Sequence, residues 1–332
     1  MGFCRLEGEM LAEFIRKIIR KTKDGTIIDA VKIKIHSRLY FNINSEYEKT
    51  IFLASAGRSG STWVSNLINF QNKYRYMFEP FHSNYVNICK DFNYRQYLQK
   101  DNSEEKYLLP AQQIISGKIR DKWIDRFNRK LVCNERLIKD IRANLLLGWL
   151  NTHFPEMKII LLFRHPLAVV NSRMKLGWGS NIKFFLEQEN LINDYIEPFI
   201  KQIKTAKSVF EEQVFAWCIE SYVSLKQFNK GDIHLAFYED FITKPKETIK
   251  SLFNYLNIEF KDKIMTKLHI PSPEVRDESA IITGENLTDK WKNNFDKQQI
   301  EKAVEILSLF GLDEIYSEES LPKTNNIFKI FN

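Results

Sequence analysis

The 332-residue sequence has few cysteines, no long apolar run and no basic block with interleaved aromatic residues. Its four cysteines are scattered, without a Cys-x-x-Cys pair or a histidine at metal-ligand spacing, so neither a zinc site nor a disulfide framework is indicated. The longest apolar runs, such as residues 158–163, are far too short to cross a bilayer. Because no RNA- or DNA-binding signature is present either, we expect a soluble protein without a nucleic-acid partner.

The start of the chain lacks the long apolar core of a secretory signal, and Leu6 stands where a myristoylation signal requires serine or threonine. A cytoplasmic location is therefore the expectation. A glycosylation triplet at Asn286 would matter only in a secreted chain. The formal net charge of +7 favours an anionic ligand or surface without deciding which one.

Residues 1–49 form a predicted N-terminal extension to a main domain of residues 50–332. Between Glu9 and Lys23, apolar residues recur at helical spacing, which predicts an amphipathic helix. Its opposite face is basic and carries Arg16, Lys17, Arg20 and Lys21. Such a helix either packs on the domain or makes a peripheral contact with a membrane surface, and the sequence leaves both open.

Four short β-like runs predict a parallel sheet, because helical patterns separate them along the chain. The runs are Thr50–Ser55, Arg136–Asp140, Lys158–Phe163 and Ile233–Tyr238. The wide intervals 84–129 and 174–224 are rich in charged and aromatic residues and poor in glycine and proline, so we expect long helical insertions there. A further helix is expected within residues 295–311, ended by Gly311.

The first run leads into the loop Ser-Ala-Gly-Arg-Ser-Gly-Ser-Thr and then into a helical pattern. A strand, a glycine loop and a helix start form an anion cradle, because backbone N–H groups converge and the helix dipole favours negative charge. A Walker A loop would place lysine directly after the second glycine, but Ser61 follows Gly60 and the cation is Arg58. Arg164 also stands where a Walker-type enzyme often places a metal-holding aspartate. These features predict a phosphate site that needs no metal.

A second candidate anion site follows the third run. Arg164 leaves the predicted strand, and Ser172 and Arg173 follow after a stretch with helix-like spacing that could bring the three polar groups towards one phosphate. Taken singly, Arg164 could be a surface ion pair and the first loop a plain turn.

Together these segments resemble the sulfotransferase superfamily, which uses 3′-phosphoadenosine 5′-phosphosulfate (PAPS). The resemblance rests on Gly-Arg-Ser-Gly-Ser-Thr-Trp, Phe-Glu-Pro, the arginine and serine after the third run, and Asp-Lys-Trp-Lys-Asn-Asn-Phe, and it extends from Thr50 to Phe310. The loop arginine and Phe-Glu-Pro are more similar to carbohydrate and tyrosylprotein sulfotransferases than to the cytosolic small-molecule enzymes, which carry lysine in that loop. The expected fold is an α/β, P-loop-like three-layer fold with a central parallel sheet flanked by helices, in which the helical insertions cover the acceptor side.

The resemblance implies roles for the matched positions. The 5′-phosphosulfate would be gripped by Arg58, Ser59, Gly60, Ser61 and Thr62, with Arg58 also a catalytic candidate. Trp63 would stack on adenine, and Arg164 and Ser172 would bind the 3′-phosphate. A segment that resembles a nucleotide-closing element supplies three further candidates, Lys290, Trp291 and Lys292. Trp291 could equally be a core anchor.

Glu79 lies at the position that matches the general-base glutamate of the tyrosylprotein and related carbohydrate enzymes. Pro80 after it disfavours helical geometry at Glu79. A solvated carboxylate or an ion pair is the alternative for Glu79, and Asp140 is the competing base. Lys139 could stabilise the leaving phosphate or pair with Asp140. The cytosolic enzymes place a catalytic histidine in this region, and this chain has none there.

The sequence therefore predicts an enzyme that moves the sulfuryl group of PAPS to an alcohol, preferably of a saccharide, and releases adenosine 3′,5′-bisphosphate without a metal. A tyrosine, lipid or small-molecule alcohol remains open as the acceptor. Five aromatic residues could form a sugar-stacking face or belong to the core: Trp178, Trp217, Phe184, Phe185 and Tyr195. Glu239 and Asp240 are expected to organise the fold. A kinase-like P-loop phosphotransferase and a non-catalytic PAPS- or anion-binding module are the alternatives.

Overall fold

The computed structural model describes residues 39–268, 270 and 288–323. The expected N-terminal helix between Glu9 and Lys23 and the triplet at Asn286 lie outside these described residues.

A five-stranded, fully parallel sheet forms the centre of the domain. The strands of the described chain are β1 (Phe41–Asn42), β2 (Thr50–Ser55), β3 (Arg75–Phe78), β4 (Val132–Cys133), β5 (Arg136–Asp140), β6 (Lys158–Phe163) and β7 (His234–Phe237). The strand order in the central sheet is β3-β5-β2-β6-β7, and β1 pairs with β4 in a separate two-stranded parallel ribbon. This arrangement confirms the expected parallel sheet.

Helices cover both faces of this sheet. They are α1 (Ser61–Ile68), α2 (Glu105–Ile115), α3 (Leu147–His153), α4 (Pro166–Lys175), α5 (Lys183–Leu186), α6 (Glu189–Leu191), α7 (Ile200–Ile203), α8 (Val209–Lys226), α9 (Tyr238–Thr243), α10 (Pro245–Leu256) and α11 (Lys297–Leu309). Successive strand residues point to opposite faces, so Phe52 and Ala54 join the core cluster under α3, α4, α8 and α11. Ile51 and Leu53 join the cluster under α1, α9 and α10. The result is the expected three-layer α/β fold.

Three predicted runs have the same bounds as β2, β5 and β6, and the fourth extends one residue beyond β7 at each end. The edge strand β3 was not predicted. It has only four residues, all buried, and begins with Arg75, whose charge obscures the apolar pattern. The Arg75 guanidinium is paired with Asp125 at 2.8 Å and donates to two backbone carbonyls, which explains how it can be buried.

The two wide intervals differ from each other. Residues 174–224 are largely helical, as expected, and contain α5 to α7 and most of α8. Residues 84–129 are only partly helical, because turns and loops surround α2. The C-terminal helix was predicted well: Asp296 and Gln299 form a capping box before α11, and Gly311 follows it with a φ of 67°. Among the helices of the described residues, none has the length and apolar character to span a bilayer.

Candidate active site

The predicted site residues gather at the carboxyl ends of four neighbouring strands. β2 leads into the loop of residues 56–60, β3 into Glu79, and β6 into Arg164, while Lys139 lies within the last two residues of β5. Since β3, β5, β2 and β6 are adjacent in this order, the four groups share one edge of the sheet. Ligands of open α/β sheets bind at this edge.

The loop after β2 is tightly curled. Arg58 and Gly60 have φ angles of 79° and 87°, in the left-handed region. A Cβ atom on Gly60 would lie 2.6 Å from the ring of Tyr238, so a larger residue does not fit there. The loop then enters α1 at Ser61, which is the geometry of an anion-binding loop before a helix N-terminus. The buried hydroxyl of Ser59 finds no hydrogen-bond partner among the described residues.

The two predicted phosphate sites touch each other. Arg58 Nε donates to Ser172 Oγ at 3.0 Å, and Arg164 Nη1 donates to the Arg58 carbonyl at 3.1 Å. The Arg164 guanidinium also lies over the Tyr238 ring, 4.3 Å from its centroid. Arg173 is different, because it is buried and donates from Nε to the Gly57 carbonyl at 3.1 Å. Arg173 therefore supports the loop from the interior.

The two tryptophans with expected nucleotide roles are both buried. Trp63 is 3% exposed; it packs edge-on against Tyr238, and its Nε1 donates to the Leu268 carbonyl at 3.2 Å. In this arrangement little of the Trp63 ring is open to a ligand, and adenine stacking stays a prediction. Trp291 is stacked on His165 with ring centroids 4.3 Å apart, so it occupies the core position that the sequence left as its alternative.

The lysines beside Trp291 lie at the surface. Lys290 and Lys292 line a cleft of about 800 Å³ together with Lys175, which ends α4. Lys292 Nζ lies 3.6 Å from a carboxylate oxygen of Glu319. Since Ser172 precedes Lys175 on α4, this cleft adjoins the helix that carries Ser172 of the second predicted phosphate site.

Glu79 is buried between two cations. Its carboxylate accepts hydrogen bonds from Lys139 Nζ at 2.7 Å and from Arg142 Nη1. The Glu79 backbone has a φ of 44°, and its N–H donates to the Lys139 carbonyl at 2.7 Å. Burial alone would raise the pKa of Glu79, but the charges and hydrogen bonds of Lys139 and Arg142 outweigh it and hold that pKa below its usual value.

Arg142 belongs to the candidate site but was not predicted from the sequence. It lies two residues beyond the end of β5, outside every motif that carried the resemblance, and only the turn after β5 brings it to Glu79. The run Lys-Asp-Ile-Arg from Lys139 was the available signal, because cations just beyond a strand end lie at the ligand-binding edge of a parallel sheet.

The carboxylate of Asp140, the competing candidate for the general base, is hydrogen-bonded to backbone N–H groups. One carboxylate oxygen accepts from the Phe81 N–H at 3.0 Å and the other from the Arg142 N–H at 2.7 Å. Burial and the nearby Glu79 raise the pKa of Asp140 to about 6. With no exposed surface and both oxygens bonded, Asp140 fixes the turns that carry Glu79 and Arg142. The sequence left Lys139 as a stabiliser of the leaving phosphate or a partner of Asp140; in the structure its ammonium group donates to Glu79.

Two of the five candidate sugar-stacking aromatics belong to the core. Trp217 and Phe185 are fully buried, so they take the core position that the sequence left open as the alternative to a sugar-stacking face. Trp178 is half-buried beside the loop, 3.1 Å from where a Cβ of Gly57 would lie. Phe184 packs on Tyr94 at 5.2 Å between centroids, and Tyr195 packs on Tyr97 at 5.5 Å.

Tyr94 and His82 are two further groups near Glu79 whose pKa values are shifted. Burial alone would raise the pKa of the Tyr94 phenol, but Arg95 and Arg142 lower it. The Arg142 guanidinium lies 5.7 Å from the centroid of the Tyr94 ring. Burial, followed by the charge of Arg142, lowers the pKa of His82 to about 4, so His82 is neutral at physiological pH.

Glu239 organises the fold, as expected. Its buried carboxylate accepts from the His165 N–H at 2.8 Å and from the Tyr316 hydroxyl at 3.0 Å. It thereby ties the ends of β6 and β7 to the C-terminal residues. Within residues 39–268, 270 and 288–323, no cluster of three or more His, Cys, Asp or Glu side chains is arranged to hold a metal ion.

Comparison with known proteins gives one family. A family model described as "Sulfotransferase family" matches residues 50–262. Among solved structures, the sulfotransferase domain from the curacin biosynthetic pathway has 16% sequence identity and a TM-score of 0.44, covering 78% of this chain and 95% of that one. A mouse sulfotransferase complexed with PAP has 13% identity and a TM-score of 0.38, with coverages of 84% and 88%. Sulfotransferase STF9 from Mycobacterium avium has 11% identity and a TM-score of 0.43, with coverages of 83% and 79%. No curated protein matches the sequence.

Proposed function

The chain belongs to the sulfotransferase family, and on that premise we propose that it transfers the sulfuryl group of PAPS to a saccharide hydroxyl with Glu79 as the general base. The chain is a PAPS-dependent sulfotransferase. The proposal concerns its acceptor, its general base and its individual nucleotide contacts. The observation that carries the proposal is the Glu79 carboxylate, held by Lys139 and Arg142 at the strand edge that also carries the Arg58 loop.

The nucleotide would lie across the two touching phosphate sites. The curled loop of residues 57–60 and the start of α1 would hold the 5′-phosphosulfate, and Arg164 and Ser172 would hold the 3′-phosphate. Arg58 connects both sites through its hydrogen bond to Ser172. We expect phosphate oxygens to replace that bond when the nucleotide binds, since charge-assisted hydrogen bonds are the stronger ones. Lys290 and Lys292 would add positive charge from the neighbouring cleft.

In the proposed transfer, the acceptor oxygen forms a bond to sulfur while the bond from sulfur to the 5′-phosphate oxygen breaks. Glu79 receives the proton of the acceptor hydroxyl, and adenosine 3′,5′-bisphosphate leaves with the electron pair of the broken bond. Lys139 and Arg58 would neutralise the charge that develops on the leaving group. Because Lys139 and Arg142 lower the pKa of Glu79, it is ionised at neutral pH and ready to accept. Such a weak base takes the proton late, once bonding to sulfur has made the hydroxyl acidic.

A saccharide acceptor is supported by aromatic side chains around the loop. Trp178 lies against Gly57, and Phe184 and Tyr94 pack together near Arg142. Half-buried aromatic rings next to cations suit a polar ring compound that offers both an apolar face and hydroxyl groups.

The test is calorimetric titration of the full chain with adenosine 3′,5′-bisphosphate, ATP and 5′-AMP in the presence of chelator. We expect selective binding of the bisphosphate that is weakened by Arg58→Ala and by Arg164→Ala. Lys297→Ala, at an exposed position of α11, is the matched control. A preference for magnesium-ATP would overturn the proposal in favour of a kinase-like enzyme.

Glu79→Gln separates binding from chemistry. It should keep the affinity for the bisphosphate and lower the rate of sulfuryl transfer to the best acceptor of a saccharide screen by about 10²–10⁴-fold, the usual contribution of a positioned base. Wild-type turnover in this variant would place the base elsewhere. Nucleotide binding by the wild-type chain without turnover on any acceptor would support the non-catalytic binding module.

A further inference from the structure

The two-stranded β1–β4 ribbon exposes a cluster of large apolar side chains. Twelve large hydrophobic residues of the described chain are exposed, and five of them lie on or beside this ribbon. They are Leu39 (64% exposed), Phe41 (64%), Ile43 (65%), Leu131 (42%) and Val132 (47%). Scattered exposed hydrophobics need no explanation, but a contiguous group of this kind marks an interaction surface.

Tyr40 fixes the outward orientation of its two neighbours, Leu39 and Phe41. Tyr40 points inward, is 2% exposed, and donates from its hydroxyl to Asp125 at 2.9 Å. Because strand residues alternate between faces, this anchor turns Leu39 and Phe41 outward. The Phe41 N–H donates to the Leu131 carbonyl at 2.7 Å, which holds Phe41 opposite Val132.

A basic segment precedes β4 and adjoins the ribbon at Arg120 and Lys130. The preceding segment, residues 118–130, contains six basic residues and two acidic ones: Lys118, Arg120, Lys122, Arg126, Arg129 and Lys130, with Asp121 and Asp125. All of the basic residues except the half-buried Lys130 are exposed, whereas Asp125 is buried in its ion pair with Arg75. Arg120 Nη2 donates to the Tyr40 carbonyl at 2.6 Å, and Lys130 directly precedes Leu131, so the positive charge lies at the border of the apolar cluster.

We propose that the β1–β4 ribbon is a docking surface for an anionic lipid bilayer. The apolar side chains enter the boundary between headgroups and acyl chains, and the basic residues of segment 118–130 contact the lipid phosphates. Nucleic acid fits this surface poorly, because a phosphate backbone binds through its charge and would leave the five apolar side chains without apolar contacts. The inference is independent of the sulfuryl-transfer chemistry, since none of these residues lies in the candidate active site.

The experiment is co-sedimentation of the full chain with vesicles of phosphatidylcholine, with and without phosphatidylglycerol. We expect binding to the anionic vesicles that weakens with added salt. The triple variant Leu39→Ser, Phe41→Ser, Ile43→Ser should lose about tenfold or more in vesicle binding, because it removes most of the apolar insertion. Lys122→Gln with Lys130→Gln should weaken binding to anionic vesicles only. Val209→Ser with Leu309→Ser, at two exposed apolar positions elsewhere, is the matched control.

Affinity for adenosine 3′,5′-bisphosphate, measured on every variant, separates this inference from the proposed function. An unchanged affinity together with lost vesicle binding supports the lipid surface. Wild-type chain that does not bind anionic vesicles overturns it. A triple variant that still binds anionic vesicles also overturns the inference, because a part of the chain other than the β1–β4 ribbon would then make the contact. A triple variant with a lower melting temperature and unchanged vesicle binding shows instead that the chain itself covers the ribbon.

Discussion

At the scale of single residues, the proposed transfer depends on the charges around Glu79. Burial alone would raise the pKa of Glu79 and favour its protonated form, while Lys139 and Arg142 lower that pKa and favour the ionised carboxylate. The same cations weaken its basicity. Arg142 therefore sets a compromise between the fraction of Glu79 that is ionised and its strength as a proton acceptor.

This compromise predicts the pH dependence of Arg142→Gln. Loss of the cation raises the pKa of Glu79, and because Glu79 acts in its ionised form, the acidic limb of the kcat profile moves to higher pH. The direction of the shift follows because removing a close opposite charge disfavours the ionised carboxylate. Nucleotide affinity should change little. Arg126→Gln, at an exposed arginine that packs on Trp123, is the control and should leave the profile in place.

An acidic limb that stays where it is in Arg142→Gln, with the rate reduced at every pH, would mean that Arg142 acts on the acceptor and not through Glu79. Rescue of the wild-type profile by Arg142→Lys would support the charge as the relevant property.

At the scale of elements, Asp140 joins two turns. Its carboxylate accepts one N–H from the turn after β3 and one from the turn after β5. Asp140→Asn replaces an acceptor oxygen by a donor group and leaves one of these buried N–H groups unsatisfied, which should lower the free energy of unfolding by about 1–3 kcal/mol. Chemical denaturation measures that loss. Asp232→Asn, in an exposed turn where the carboxylate accepts one N–H, should cost much less.

Kinetics on the same variant separates positioning from catalysis. If Asp140 positions Glu79 and Arg142, kcat falls together with stability, and nucleotide affinity is retained. Full stability combined with loss of transfer as severe as in Glu79→Gln would identify Asp140 as the base after all.

The secondary-structure elements also show how much of the fold and of the candidate site the sequence could predict. β2 and β6 are six-residue runs that are mostly apolar, so local pattern was sufficient for them, whereas β5 has only Leu137 and Ile138 between charged residues. β3 depends on partners that are distant in sequence, since Asp125 and two backbone carbonyls together satisfy the buried Arg75 guanidinium. Arg142 reached the site through a turn that Asp140 fixes, and Trp217 became core because α8 is buried along most of its length. Tertiary partners decided each of these cases.

At the scale of the whole molecule, the C-terminal residues are built into the candidate site. The family match ends at residue 262, but Trp291 stacks on His165 and Tyr316 donates to Glu239 beyond it. His165 directly follows Arg164. The C-terminal segment thus supports the strand end that carries the second predicted phosphate site.

That junction predicts how stability changes with pH. Burial raises the pKa of Glu239 from 4.5 to about 7 in the folded chain, so the folded state binds this proton more tightly than the unfolded state. The resulting contribution to the free energy of unfolding is fully present below about pH 4.5 and is lost as pH rises through about 7, at roughly 1.4 kcal/mol for each unit of pKa difference.

The variant Glu239→Gln tests this dependence, because its amide resembles the protonated carboxyl. Its melting temperature should be near that of the wild-type chain at low pH and should exceed it increasingly as pH approaches 7. Glu301→Gln, on the exposed side of α11, should show a difference that does not vary over this range. A wild-type advantage over Glu239→Gln that grows with pH would show that Glu239 is ionised in the fold, with His165 and Tyr316 as partners of its charge.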